Sequence, residues 1–291
     1  MAKWLMTLGG AALAMLALRD VFHTLWHPTR HGGLSRRVMT VAWVLSARFG
    51  RRRAVGLAGP IGMVVVVALW AATVITGWAL LYWPHMPDAF SFAAGLEPER
   101  HTGFLDALYI SIVTMATLGL GDIAPAEGWL RIIGPLESVV GFALLTATVS
   151  WVLGIYPALA RRRTVALRIA QLRRAGLHDQ RPPTPGACAA LQGLAADLAH
   201  VCVDFRQYAE SYYFHDGDEN TSLAANIVYI ASVADRIPPD ADADTVLARD
   251  LLRASLRDLA VTLDERFLHT GGTTRHVLAR YAEDHWGTTK S

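Results

Sequence analysis

Cysteine and charge are the two things this sequence uses sparingly, and each scarcity excludes something. Of its 291 residues only two are cysteine, Cys188 and Cys202, and neither belongs to a CxxC pair. A disulfide framework and a thiolate zinc site are thereby excluded, and both are read as reduced core thiols. No strand–glycine-loop–helix fingerprint is present, which removes a Rossmann-type ligand sensor. No metal-ligand cluster or nucleophile–base arrangement supports a catalytic reading, so the chain is not expected to be an enzyme. Charge is missing altogether from residues 55–83, and residues 132–157 contain only Glu137.

Uncharged runs of that length cross a membrane, because about 20 apolar residues are needed to span the hydrocarbon core. A third run, 4–26, is interrupted by Arg19, Asp20 and His23 and is the weakest of the three. Met1 to Leu18 could also be read as a cleaved leader, but no cleavage site precedes Arg19 and Asp20, so a retained span is expected. A shorter apolar run, 104–120, ends in glycines. It suits a re-entrant element, whose irregular backbone is tolerated at membrane depth only where protein or a water-filled pore shelters it.

Arginine sets the expected orientation. Arg30, Arg36, Arg37, Arg48, Arg51, Arg52 and Arg53 precede the second span; Arg161, Arg162, Arg163, Arg168, Arg173 and Arg174 follow the third. The connection 84–103 carries Arg100 alone against Asp88, Glu97 and Glu99. The positive-inside rule then puts both arginine groups in the cytoplasm, opens the re-entrant segment outward and leaves the N-terminus outside. Residues 38–49, too short to span, read as an amphipathic helix on the inner surface. Beyond the third span the chain reads as soluble and helical. Leu191, Leu194, Leu198, Val201, Phe205, Tyr208 and Tyr212 alternate spacings of three and four, which fits a bundle core or an intersubunit coiled coil equally well. Further helices are expected over 221–237, 242–267 and 273–286. The fold class is all-α.

The stretch Thr117-Leu118-Gly119-Leu120-Gly121-Asp122 asks why a membrane segment spends two glycines one residue apart. Glycine is costly to order and offers nothing to bury, so its backbone freedom must be what is used. A ring of backbone carbonyls can replace the hydration shell of a cation in a pore. Aiming successive carbonyls at one axis requires alternating backbone handedness, which glycines at alternate positions permit.

Residues 107–122 resemble the pore helix and selectivity filter of the potassium channel superfamily, whose signature is close to T-x-x-T-x-G-[YFL]-G-D. Asp122, Pro125, Trp129 and Arg131 resemble the outer mouth of its bacterial two-transmembrane pore-loop members at the same spacing. The likeness covers 55–157 and leaves out the additional N-terminal span and the soluble region. Together with the hydropathy and charge pattern it gives four segments: an N-terminal transmembrane helix, 1–27; a basic cytoplasmic segment with the interfacial helix, 28–54; an outer helix, pore helix, filter and inner helix, 55–157; and a cytoplasmic regulatory helical domain, 158–291. It further implies a homotetramer in a cell membrane, since each chain brings one filter. Thr117, Leu118, Gly119 and Leu120 would offer carbonyls to potassium, with the Thr117 hydroxyl at the inner end. Gly121 would close the strand and Asp122 would hold the outer mouth. Gly141, twenty residues beyond Gly121, falls at the family's gating hinge, and a glycine there equally suits close packing of membrane helices. By periodicity Phe142, Leu145 and Val149 would line the cavity.

Three departures stand out. Leu120 replaces the usual Tyr or Phe. Tyr109 and Ile110 replace a tryptophan pair and Val113 a carboxylate, leaving Asp122 without its obvious partners. Ala116 replaces a threonine. Glu137 is a candidate filter support, through Tyr109 or another group, or else an ion pair near the headgroups. No cofactor beyond the permeant ion and no nucleic-acid partner are expected. The arginine clusters are topology determinants that could also meet anionic headgroups. The acidic loop 215–220 lacks EF-hand spacing and reads as a lead-in to a helix capped near Thr221 or Ser222. The competing functions are a weakly selective cation channel and a membrane sensor with a vestigial pore.

Overall fold

The computed structural model describes residues 1–25, 33–48, 57–179 and 183–286. Arg30, Arg51, Arg52, Arg53, Arg181 and Pro182 lie outside the described residues. The chain divides into two units, Met1–Val38 with Met63–Val152, and Met39–Gly62 with Leu153–Ser291.

The first unit is built on helices α1 (Ala2–Leu25), the start of α2 (Gly33–Arg48), α3 (Ala58–Tyr82), α4 (Phe104–Met115) and α5 (Leu130–Arg174). The first span lies against α3. At their crossing a Cβ on Gly10 would stand 2.4 Å from the Gly77 carbonyl oxygen, so only glycine lets the backbones approach so closely. Asp20, which weakens the first span as a hydropathy signal, accepts a 2.8 Å hydrogen bond from the Trp70 indole. At the other end Thr7 meets His85 at 2.9 Å, and Trp4 and Trp129 flank the same imidazole.

Two short strands, β1 (Phe90–Phe92) and β2 (Ile123–Pro125), pair antiparallel with Ser91 opposite Ala124. They lie outside the all-α expectation, since three-residue strands leave no periodic signal in a sequence. The ladder ties the segment after α3 to the residues just beyond the glycines. Ala93 N–H extends it with a 2.8 Å bond to the Asp122 carbonyl.

The second unit holds α6 (Pro185–Gln207), α7 (Leu223–Arg236), α8 (Ala243–Leu263) and α9 (Thr274–Trp286), with the C-terminal part of α5. Their starts follow capping chemistry: Thr184, Ser222 and Asp242 accept from Ala187, Ala225 and Thr245 N–H. The leucine stripe of α6 faces inward, with Leu191, Leu194 and Leu198 fully buried in one cluster with α7, α8 and α9. The bundle-core reading of that stripe therefore holds within one chain. Its last members, Tyr208 and Tyr212, lie beyond the end of α6, in the turn that follows. Among the described residues four helices are long and apolar enough to cross a membrane: α1, α3, α5 and, unanticipated, α6.

Arg161, Arg162 and Arg163 are paired within this unit. Arg161 forks onto Asp204 at 2.8 and 2.6 Å, and Asp216 serves Arg162 at 3.0 Å and Arg163 at 2.8 Å. Each thus has a carboxylate partner, which leaves less charge for a lipid headgroup. Asp216 belongs to the acidic loop, and among the described residues no group of three or more His, Cys, Asp and Glu could hold a metal.

Candidate functional site

The site begins at the end of α4. Its N-terminus is fixed by Asp106, whose carboxylate accepts the Gly103 N–H at 3.0 Å and meets His101 at 2.8 Å. Its C-terminus closes with two bonds, Thr117 N–H to the Thr114 carbonyl at 2.9 Å and Leu118 N–H to the Val113 carbonyl at 3.0 Å. That pair is a Schellman cap, and its left-handed position is usually glycine. Here it is Thr117, at φ 57°. A β-branched residue in that region is strained, and strain of this kind clusters at functional sites.

The left-handed conformation then recurs at every second residue: Gly119 at φ 56° and Gly121 at φ 77°. Alternating handedness over 117–121 turns successive peptide carbonyls toward one side, which an ordinary strand cannot do. Chemically, such a segment can offer a row of oxygens to a cation of low charge density. The Leu118 and Leu120 side chains are 63% and 62% exposed in the single chain. Beside them a groove of about 470 Å³ opens between the segment and α5, lined by Thr117, Gly119, Arg131, Pro135 and Ser138 among others.

Four hydroxyls and two carboxylates hold the segment. Tyr109, on α4, donates to Asp122 at 2.6 Å, so Asp122 has a partner after all. That bond keeps the Asp122 carboxyl below its ordinary range. Glu137 does not reach Tyr109 and joins no ion pair among the described residues. It is fully buried, taking the Tyr82 hydroxyl at 2.7 Å, and Ser111 Oγ lies 2.5 Å from its other oxygen. Ser111 also faces the Ile75 carbonyl at 3.0 Å, so Glu137 links α3, α4 and α5 behind the strained segment. Ser138 donates to the Thr114 carbonyl at 2.9 Å.

Tyr82, Ser111 and Ser138 are the residues that sequence reading missed. The signal was there for Ser111, a small hydroxyl on an apolar helix that must find a partner once buried. The left-handed Thr117 carried no such signal, because only the cap geometry identifies it. Gly141 sits where a Cβ would be 2.2 Å from the Met115 carbonyl oxygen, and this gives it a packing reason for being glycine. Phe142, Leu145 and Val149 share the exposed face of α5, at 66%, 62% and 49% exposure.

Residues 63–155 match the family described as "Ion channel". The chain is 24% identical over 151 residues to the uncharacterized membrane protein YdjJ of Bacillus subtilis (strain 168), covering 51% of this chain and 43% of that one. It is 25% identical over 139 residues to the putative potassium channel protein RPA4233 of Rhodopseudomonas palustris (strain ATCC BAA-98 / CGA009), covering 48% and 29%. A 55-residue stretch is 44% identical to two-pore potassium channel 5 of Arabidopsis thaliana, covering 18% and 14%. The chain thus spans less than half the length of these curated relatives. No solved structure matches it. With the cap, the alternating backbone and its buried support in place, the match marks residues 63–155 as an ion-channel region of a nearly all-α chain whose helices include several long and apolar enough to cross a membrane.

Proposed function

We propose that four copies of this chain surround one pore and conduct potassium passively and selectively. Thr117, Leu118, Gly119 and Leu120 supply carbonyl rings and Thr117 adds its hydroxyl. The observation that carries this reading is the alternation of left-handed residues at 117, 119 and 121. Such a backbone is costly, and its use is to aim oxygens at one axis. The exposure of Leu118 and Leu120 and the open groove beside them support copies arranged around a shared axis, because apolar side chains of that size are seldom left in the open without a partner.

In this reading Tyr109 and Glu137 do the bracing that Leu120 cannot. Tyr109 ties Asp122 to α4 from the outside, and Glu137 ties α3 and α5 to α4 from behind. Phe142, Leu145 and Val149 form the cavity wall. Gly141 is the hinge, and bending there would part α5 from the Met115 carbonyl. The arginines beside the spans support a cytoplasmic second unit, which modulates opening in this reading. Within that unit Arg162, on α5, donates to the Ser211 and Phe214 carbonyls, each at 2.8 Å, besides Asp216.

Replacing Gly119 with alanine tests the assignment. Current should vanish while the purified protein still runs as a tetramer, because the left-handed φ is opposed but no assembly contact is removed. Wild-type current through Gly119→Ala would remove the filter from 117–120.

A further inference from the structure

We propose that the second unit binds a small phosphomonoester with an apolar body, in an open cavity between α7, α8 and α9. The inference stands apart from the pore reading and gives the helical bundle a ligand class of its own. The cavity measures about 320 Å³, at the low end of the roughly 300–1,000 Å³ of small-molecule sites, and so admits a body of about mononucleotide size. Its floor is apolar: Ala234, Leu256 and Leu278 are buried against one another beneath it. Its rim is cationic, with Arg253 and Arg257 one turn apart on α8 and Arg275 at the start of α9.

One carboxylate among the lining residues answers two of these three guanidinium groups. Asp235 takes Arg275 in a short bond and Arg253 at 3.6 Å. Among the described residues no hydrogen bond or ion pair engages Arg257. Three positive charges less one negative leave a formal surplus of two around a concave apolar floor. A carboxylate ligand would cancel half of it. A phosphomonoester carries about −1.5 to −2 at pH 7 and three acceptor oxygens, which matches both the charge and the guanidinium geometry. The apolar floor takes the rest of the molecule, so the site is built for an ester rather than for inorganic phosphate. The Thr273 and Thr274 side chains complete the rim and can hydrogen-bond the ligand.

The ester could come from a soluble nucleotide or from a lipid headgroup, and titration calorimetry on the full-length protein in detergent separates them. The probes are adenosine monophosphate and dihexanoyl phosphatidic acid, with adenosine as the uncharged control. At least one phosphomonoester should bind, adenosine should not, and Arg257→Gln should weaken the bound probe about tenfold, as expected for loss of a charge-assisted contact. Which probe binds names the source. If neither binds at millimolar concentration, if adenosine binds as well as its phosphate, or if Arg257→Gln binds like wild type, the proposal is wrong. Because binding in detergent requires no conduction, such a failure leaves the pore reading untouched.

Discussion

Two residues, Thr117 and Tyr109, decide the strained segment, and each makes a different demand. Thr117 occupies a helix-capping position that favours glycine, so its hydroxyl is kept at the expense of backbone strain. Thr117→Gly should therefore raise thermal stability, by about 1–2 kcal/mol, while impairing conduction through loss of the hydroxyl. A melting curve beside a current recording checks both halves, and a variant that conducts normally would show the hydroxyl to be dispensable. Tyr109→Phe removes one charge-assisted bond to Asp122, whose net worth is about 1.5–3 kcal/mol. The expected result is a reversal potential shifted away from the potassium limit, with the tetramer retained. The glycine alternation was legible in the sequence because only a backbone purpose explains it. The Tyr109–Asp122 pair was not, since nothing in a one-dimensional spacing says that a tyrosine thirteen positions earlier on α4 will face the carboxylate.

Helices are where sequence and structure agree most closely, and their ends are where they part. The three C-terminal helices begin within two residues of their expected starts, since each follows a capping side chain or a clear polarity change. The long helix α5 runs on to Arg174, well past the apolar run that ends at 157, because arginine and leucine propagate a helix as readily outside a membrane as within it. Arg162 is the element-scale test. Its guanidinium is buried and makes three bonds, so Arg162→Met leaves Asp216 with Arg163 alone and strips two carbonyls of their donor. A loss of about 3–5 kcal/mol from the helical unit is expected, read by chemical denaturation. A loss under 1 kcal/mol would mean that the arginine contributes charge but little structure.

The same unit should lose stability in acid. Trp43 stacks on His215 at 4.1 Å, and His285 lies 4.7 Å from the same indole. Burial pushes the His285 imidazole down to about 3, and burial with the neighbouring His285 pushes His215 down to about 4. Both are depressed below their unfolded value of about 6.5, so the unfolded chain takes up protons that the folded chain refuses. Stability is full above that value and falls as pH drops from about 6.5 toward 4, by about 1.4 kcal/mol per pH unit for each imidazole. Denaturation midpoints between pH 7.5 and 4.5 test this, and replacing His285 with phenylalanine should flatten the slope. A flat wild-type profile would mean that these histidines are protonated in the native state.

For the whole molecule, the alternating backbone of 117–121 could be read from sequence because its signature is local, lying within six consecutive residues. The supporting network could not, because Glu137 draws on Tyr82 and Ser111, which are 55 and 26 positions away. The cytoplasmic placement of the helical unit and the tetramer remain proposals resting on charge and on the exposed filter. Potassium selectivity is the central claim, and the most direct measurement is the reversal potential of purified protein in a planar bilayer with potassium on one side and sodium on the other. A potential close to the potassium limit is expected, with Tyr109 and Glu137 standing in for the missing aromatic. Clear single-channel steps that reverse near zero would contradict it and leave a non-selective cation pore.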